Sequence, residues 1–306
     1  MIVELSNTIG GICIDNTSYN VSCYADDVLL TSTTVTGLQR LIDVADKYIS
    51  SHGLRFNPIK THCITFGKTT FVKDPEWSLD GTVLTQSTNI TYLGANLSNN
   101  NYNHIESRIK SCRKAFYAMQ SIGFCKGGLA PDTMAHIWKT AIQPILLYAT
   151  QCYKLTKKSL YELDRIQTRL LKSSLGLSKF CKNTPLLQAL KIQKPSTLID
   201  IYNLDLIKSH FNTFSKSRIF YMFMLKQHMC GQLNGHDNLI NRVRAVCDKH
   251  GISMMKYVFD DTYVKRCKLK IKAFATDDGV IDSAAFLLSN FNNNNRQMLQ
   301  QLLLPF

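Results

Sequence analysis

The sequence predicts an α+β fold: an antiparallel sheet with a packed helix over the first hundred residues, then helices to the end. Two patterns and one charge asymmetry predict it. Short β-type runs separated by turn residues fill the start of the chain, while apolar positions recur at steps of three and four from His104 onward. Basic residues concentrate where that helical period begins. Between Asn103 and Leu175 stand 12 Lys or Arg and 4 Asp or Glu, an excess of eight within a net charge of +14.

Ile12 and Ile14 alternate with small or polar neighbours, Asn16 to Asn20 is turn chemistry, and Val21 and Cys23 resume the alternation. Val28-Leu29-Leu30 is the next apolar run. The two strands flanking Tyr24-Ala25-Asp26-Asp27 therefore form a hairpin with adjacent carboxylates at its tip, because neither Asp suits a buried strand. Leu38, Leu41, Ile42, Ala45, Tyr48 and Ile49 form one face of a helix, with Asp43 and Lys47 on the polar side and Gly53 as its stop. After Asn57-Pro58, strands are expected at His62 to Phe66, on either side of Asp80-Gly81, and at Tyr92 to Leu97.

In the helical part, Ile105, Ile109, Cys112, Phe116 and Met119 make a first core-facing stripe. A second helix runs from Pro131 to Tyr148, with Pro144 expected to kink or break it. A third carries Leu160, Leu163, Ile166, Leu170 and Leu171, with Ser159 as cap and Glu162 as its box partner. The expected domains are residues 1–98, a helical bundle at 99–180, and a mostly helical region at 181–306 that includes a Lys-rich stretch from Lys265 to Lys272.

Composition narrows the function. With 45% apolar and 19% charged residues the chain is globular, and its 306 residues suffice for about two domains. No apolar run reaches the roughly 18 residues of a membrane span, the start lacks the basic region of a secretory signal, and the ten cysteines include no C-x-x-C pair. These features predict a soluble, intracellular protein with reduced thiols and no membrane partner. A basic balance favours polyanions, nucleic acid first.

An Asp pair at a hairpin tip suits a hard divalent ion, Mg²⁺ or Mn²⁺, which takes carboxylate oxygens and keeps waters for substrate phosphates. Asp is also common in plain solvated turns. Arg108, Lys110, Arg113 and Lys114 on the first bundle helix, with Arg165, Arg169 and Lys172 on the third, are candidates to follow nucleic-acid phosphates. The alternative for them is an ordinary solvated face. Gly67-Lys68-Thr69 is no phosphate loop, since His62 stands where the earlier glycine is required. His228-x-Cys230 and Cys247-x-x-His250 match no common structural-zinc spacing.

Tyr24-Ala25-Asp26-Asp27-Val28-Leu29-Leu30, the helix after it, and Gly53-Leu54-Arg55-Phe56-Asn57-Pro58-Ile59-Lys60-Thr61 together resemble reverse transcriptases of non-LTR (LINE-type) retrotransposons. Tyr92-Leu93-Gly94, the basic helices and Pro144-Ile145-Leu146-Leu147-Tyr148 are similar to that family too. The resemblance covers about residues 1 to 180. It implies the C-terminal part of a polymerase palm over 1–98, a helical thumb over 99–180, and RNA-templated DNA synthesis from deoxynucleoside triphosphates on a DNA primer. By the same resemblance Asp26 and Asp27 are metal acids and Tyr24 and Ala25 lie beside the primer terminus. Lys60 would protonate the leaving pyrophosphate, Tyr92, Leu93 and Gly94 would grip the primer, and the location would be nuclear.

One departure from the family stands out. In the family another metal-binding Asp, the fingers and a glycine-glutamine motif precede the hairpin, whereas 23 residues precede Tyr24 here. Asp15 lies too close along the same hairpin to replace a ligand from a neighbouring strand. The chain is therefore expected to be inactive alone, either a reverse transcriptase part or a non-catalytic nucleic-acid-binding remnant. Oligomeric state is not legible.

Overall fold

The computed structural model describes residues 1–14, 16–66, 75–98, 102–212, 222 and 239–274. The chain divides into two compact units, Met1–Asn101 with His210–Gly235, and Tyr102–Ser209 with His236–Phe306. It is α+β, and among the described residues the strands are confined to the first unit.

The first unit opens with helix α1 (Ile2–Asn7), then β1 (Cys13–Ile14), β2 (Thr17–Ser18), β3 (Val21–Tyr24), β4 (Asp27–Leu30) and helix α2 (Val35–Ser51). Short strands follow: β5 (His62–Cys63), β6 (Ser78–Leu79), β7 (Thr82–Val83), β8 (Thr85–Gln86), β9 (Asn89–Tyr92) and β10 (Ala95–Ser98). Helix α2 starts where Thr34 accepts the Gly37 N–H, at 3.1 Å, and it buries Leu41, Ile42 and Ala45. Leu41 and Ala45 pack with Leu5, while Ile42 joins Cys63, Trp77, Leu79 and Leu84. Two polar ties fix this packing: Trp77 Nε1 donates to the Val35 carbonyl (3.1 Å), and Gln39 exchanges two 2.9 Å hydrogen bonds with the Ser78 backbone. The Gln39 amide thus completes an exposed strand edge as a neighbouring strand would.

The expected single antiparallel sheet is replaced, among the described residues, by five two-stranded pairs. Four are antiparallel; β5 and β8 pair in parallel. Thr17–Ser18, expected as turn, is a strand because the reversal is tighter and centres on Asn16 at φ 59°. His62 to Phe66 yields only two strand residues. Tyr92 to Leu97 is no single strand: Leu93 and Gly94 take φ 48° and 74°, the type I′ combination, and fold it into the β9–β10 hairpin. Asp80-Gly81 forms the expected turn between β6 and β7.

From Tyr102 onward the helices among the described residues are α3 (Tyr102–Met119), α4 (Pro131–Ile137), α5 (Gln143–Leu147), α6 (Lys157–Ser174), α7 (Asn183–Ala189), α8 (Pro195–Asn212), α9 (Leu239–His250), α10 (Met254–Phe259) and α11 (Asp261–Phe274). Pro144 does not break the second helix. The helix widens instead into one π turn, Trp138–Ile142, in which the Gln143 N–H bonds the Trp138 carbonyl, giving the proline ring room. Gln167, wholly buried, holds that turn by accepting from Trp138 Nε1 (3.1 Å) and Gln143 Nε2 (2.8 Å). The cap of α6 is Thr156, not Ser159. Thr156 accepts the Ser159 N–H at 3.1 Å, and the two hydroxyls bond at 2.9 Å, so the helix begins one turn earlier than expected.

One apolar core joins Ile105, Phe116, Trp138, Leu163 and Leu171 to Leu186, Ile192 and Ile199. The expected division at 180/181 falls inside that core. No helix among the described residues is long and apolar enough to cross a membrane.

Candidate functional site

The acidic hairpin is built from its base upward. Asn20 is 3% exposed, and its Nδ2 donates to the Leu5 and Thr8 carbonyls at 3.0 and 3.1 Å, closing the C-terminal end of α1. Its own carbonyl accepts the Thr31 N–H at 2.9 Å, one step below the β3–β4 ladder. Gly11 lies so close to this side chain that a Cβ there would stand 1.7 Å from Asn20 Oδ1, so only glycine fits. Sequence reasoning placed Asn20 in a turn and missed this anchoring. An Asn before a strand carries no signal of burial.

The ladder pairs Val21 with Leu30, Ser22 with Leu29, Cys23 with Val28 and Tyr24 with Asp27. Ala25 and Asp26 form the two-residue turn. Ala25 adopts φ 52°, in the left-handed region, which costs a non-glycine residue about 1 kcal/mol or more. Tyr24, Asp26 and Asp27 are exposed. Neither carboxylate has a hydrogen-bonding or ion-pair partner among the described residues. Their oxygens are therefore open, the donor chemistry that Mg²⁺ or Mn²⁺ takes, and the pair fits such an ion. Among the described residues no group of three or more His, Cys, Asp or Glu lies together.

Lys60 sits in a turn organised by Asn57. The Asn57 carbonyl accepts the Lys60 and Thr61 N–H groups, both at 3.1 Å, while its side chain accepts the Ile59 N–H at 3.0 Å. The ammonium is exposed, and no hydrogen bond or ion pair joins it to Asp26 or Asp27. Tyr92 closes β9 with a buried hydroxyl, while Leu93 and Gly94 are exposed at their hairpin tip.

In the second unit a groove of about 560 Å³ runs between α3 and α6. Its lining includes Lys110, Arg113, Arg165 and Arg169, with Ile109 and Ile166 as apolar floor and Glu106 and Glu162 as the acids. Helical geometry explains the selection: Glu106, Ile109, Lys110 and Arg113 share a face of α3, as Glu162, Arg165, Ile166 and Arg169 do on α6. Lys114 is exposed one turn beyond Lys110, outside this lining.

Two further expected phosphate contacts lie outside that lining. Arg108 lies off that face, with its guanidinium 5.7 Å from the centre of the Tyr148 ring, so it packs as a cation on an aromatic face. Lys172 is 8% exposed, and its ammonium donates to the carbonyls of Lys179 and Cys181. It clamps the loop after α6, so its donors point into that loop. Neither could be told from a surface cation by composition.

The weak zinc candidate divides: His228 and Cys230 lie outside the described residues, as does Gly67-Lys68-Thr69. Of the other two, His250 bonds Asp200 through Nε2 at 3.1 Å, and burial pushes the Cys247 thiol up to about 11.

Residues 2–97 match the family model of the reverse transcriptase (RNA-dependent DNA polymerase) domain, a segment that contains the β3–β4 hairpin, α2, Lys60 and the turn of β9–β10. It spans just under a third of the chain. No curated protein matches the sequence.

Proposed function

We propose that this chain is part of a reverse transcriptase of the non-LTR, LINE-type class, with residues 1–98 as palm and 99–180 as thumb. One observation carries the reading. The tip of β3–β4 presents two open carboxylates beside an exposed Tyr24 inside the segment that matches the polymerase domain.

In this reading Asp26 and Asp27 hold Mg²⁺ or Mn²⁺, which supplies charge neutralisation to the phosphates and activates a primer hydroxyl. Tyr24, standing on the same face as Asp27, supports the primer terminus, and the strained Ala25 fixes where Asp26 projects. Lys60, unpaired with either acid, delivers a proton to the leaving pyrophosphate. Leu93 and Gly94 place backbone, with no bulky polar side chain, at the tip of β9–β10, where it approaches the primer. Lys110, Arg113, Arg165 and Arg169 follow the phosphates of an RNA–DNA duplex, with the cellular location nuclear.

A two-ion centre draws on more carboxylate oxygens than one adjacent pair offers, so a further acid has to join it. The chain by itself is accordingly proposed to bind template and primer without extending them. The test is primer extension on an RNA template, with the chain alone and with a polymerase segment supplied that bears the further acid and nucleotide-holding helices. Extension only in the second case, lost in Asp26→Asn, is expected. Magnesium-dependent extension by the chain alone that Asp26→Asn abolishes would refute its dependence on a further acid. Binding without extension in both cases would favour the second reading, a non-catalytic nucleic-acid-binding remnant, for which the charge excess at Asn103 to Leu175 already speaks.

A further inference from the structure

Arg165 and Arg169 line more than the α3–α6 groove. They also border a second groove, of about 620 Å³, that opens on the other side of α6 toward the loop after it. The two arginines, one helical turn apart, are thus a ridge between two grooves of different chemistry.

Among the described residues the first groove has an apolar floor and two glutamates and holds no aromatic ring. Among them the second holds no acid. Tyr161, 66% exposed, stands at one end, and Lys179 at the other, with Lys172 clamping the loop beneath. Lys179 in turn lies 5.0 Å from the ring centre of Phe180, which is 83% exposed. Large exposed aromatics beside cations are the equipment of single-strand binding: rings stack on unpaired bases while Arg and Lys track the phosphates. A duplex hides its base faces inside the stack, so an aromatic ring on a helix surface has nothing to stack on there.

We propose that the Tyr161 groove binds a single-stranded nucleic-acid segment, separately from the duplex in the α3–α6 groove. Tyr161 stacks on a base, and Arg169 and Lys179 take the flanking phosphates. The shared ridge lets one nucleic acid pass from paired to unpaired on either side of α6. The proposal rests on the second unit being a nucleic-acid binder, and the two readings fail separately.

The experiment is fluorescence anisotropy on the full chain with two probes, a short labelled oligouridylate and a blunt labelled RNA–DNA hybrid. Tyr161→Ala is expected to weaken oligouridylate binding about tenfold, the scale of one lost base stack, with hybrid binding unchanged. Tyr161→Phe should retain the oligouridylate, because the ring does the stacking. Lys110→Ala with Arg113→Ala should weaken the hybrid and spare the oligouridylate. No oligouridylate binding by the unaltered chain, no effect of Tyr161→Ala on it, or an equal loss on both probes would overturn the single-strand site. If the unaltered chain binds the oligouridylate through Tyr161 but not the hybrid, the duplex part of the proposed function falls and this site stands.

Discussion

Tyr24 and Asp27 are register partners at the last rung of the β3–β4 ladder, so an exposed phenol ring and a carboxylate rise side by side from one face. Asp26 stands in the turn between them, after Ala25 at φ 52°. Replacing Ala25 tests whether that backbone is strained as observed. Ala25→Gly should change stability by less than about 1 kcal/mol, since relief of the left-handed strain is offset by glycine's greater chain entropy. Ala25→Val should destabilise by about 1–2 kcal/mol, because a β-branched residue resists positive φ. Urea unfolding of both variants decides it; equal effects would mean the turn is unstrained.

Lys172 is a structural cation in a basic helix. Lys172→Ala leaves the Lys179 and Cys181 carbonyls without their donor and should cost roughly 2–4 kcal/mol. Denaturant midpoints should fall well below those of Arg165→Ala, whose side chain is exposed.

The ridge arginines should behave in the opposite way. Arg165→Ala and Arg169→Ala should leave stability within about 0.5 kcal/mol and each reduce the salt slope of nucleic-acid binding by about 1. Affinity measured across a salt series gives the slope directly. A slope unchanged in both variants would mean that neither touches a phosphate.

Acid should loosen the second unit through His104. This imidazole is 1% exposed, donates from Nε2 to the Tyr148 carbonyl at 2.9 Å, and stacks on Tyr153 at 4.3 Å. Burial first, then the nearby Arg108 charge, holds its pKa below the ordinary 6.5, against the raising effect of the carbonyl bond. A histidine with a lowered folded pKa contributes stability above its unfolded value that is lost as pH falls through the folded one. Unfolding free energies should therefore decline as pH falls below 6.5, and less so in His104→Gln, which keeps a donor without the titration.

Capping at the start of α6 belongs to Thr156. Thr156→Ala should cost about 1 kcal/mol, and Ser159→Ala less, because the Ser159 N–H keeps its acceptor in the second case. Thermal unfolding of the pair orders them; the reverse order would restore Ser159 as the cap.

Local periodicity and turn chemistry determined much of this protein from the sequence alone. The stripe from Ile105 to Met119, the Asp80-Gly81 turn, the α2 face and the hairpin carrying Asp26 and Asp27 follow from residues within a few positions of one another. Tertiary structure decided what depends on partners distant in sequence. Lys172 and Arg165 read alike in the sequence, yet one is buried against a loop and the other forms a ridge, because only the path of residues 176–183 determines which cation meets a carbonyl. Likewise Pro144 announces a disturbance, but whether the helix breaks or widens was settled by Gln167, 24 residues from the Gln143 it bonds, whose buried amide holds the π turn closed.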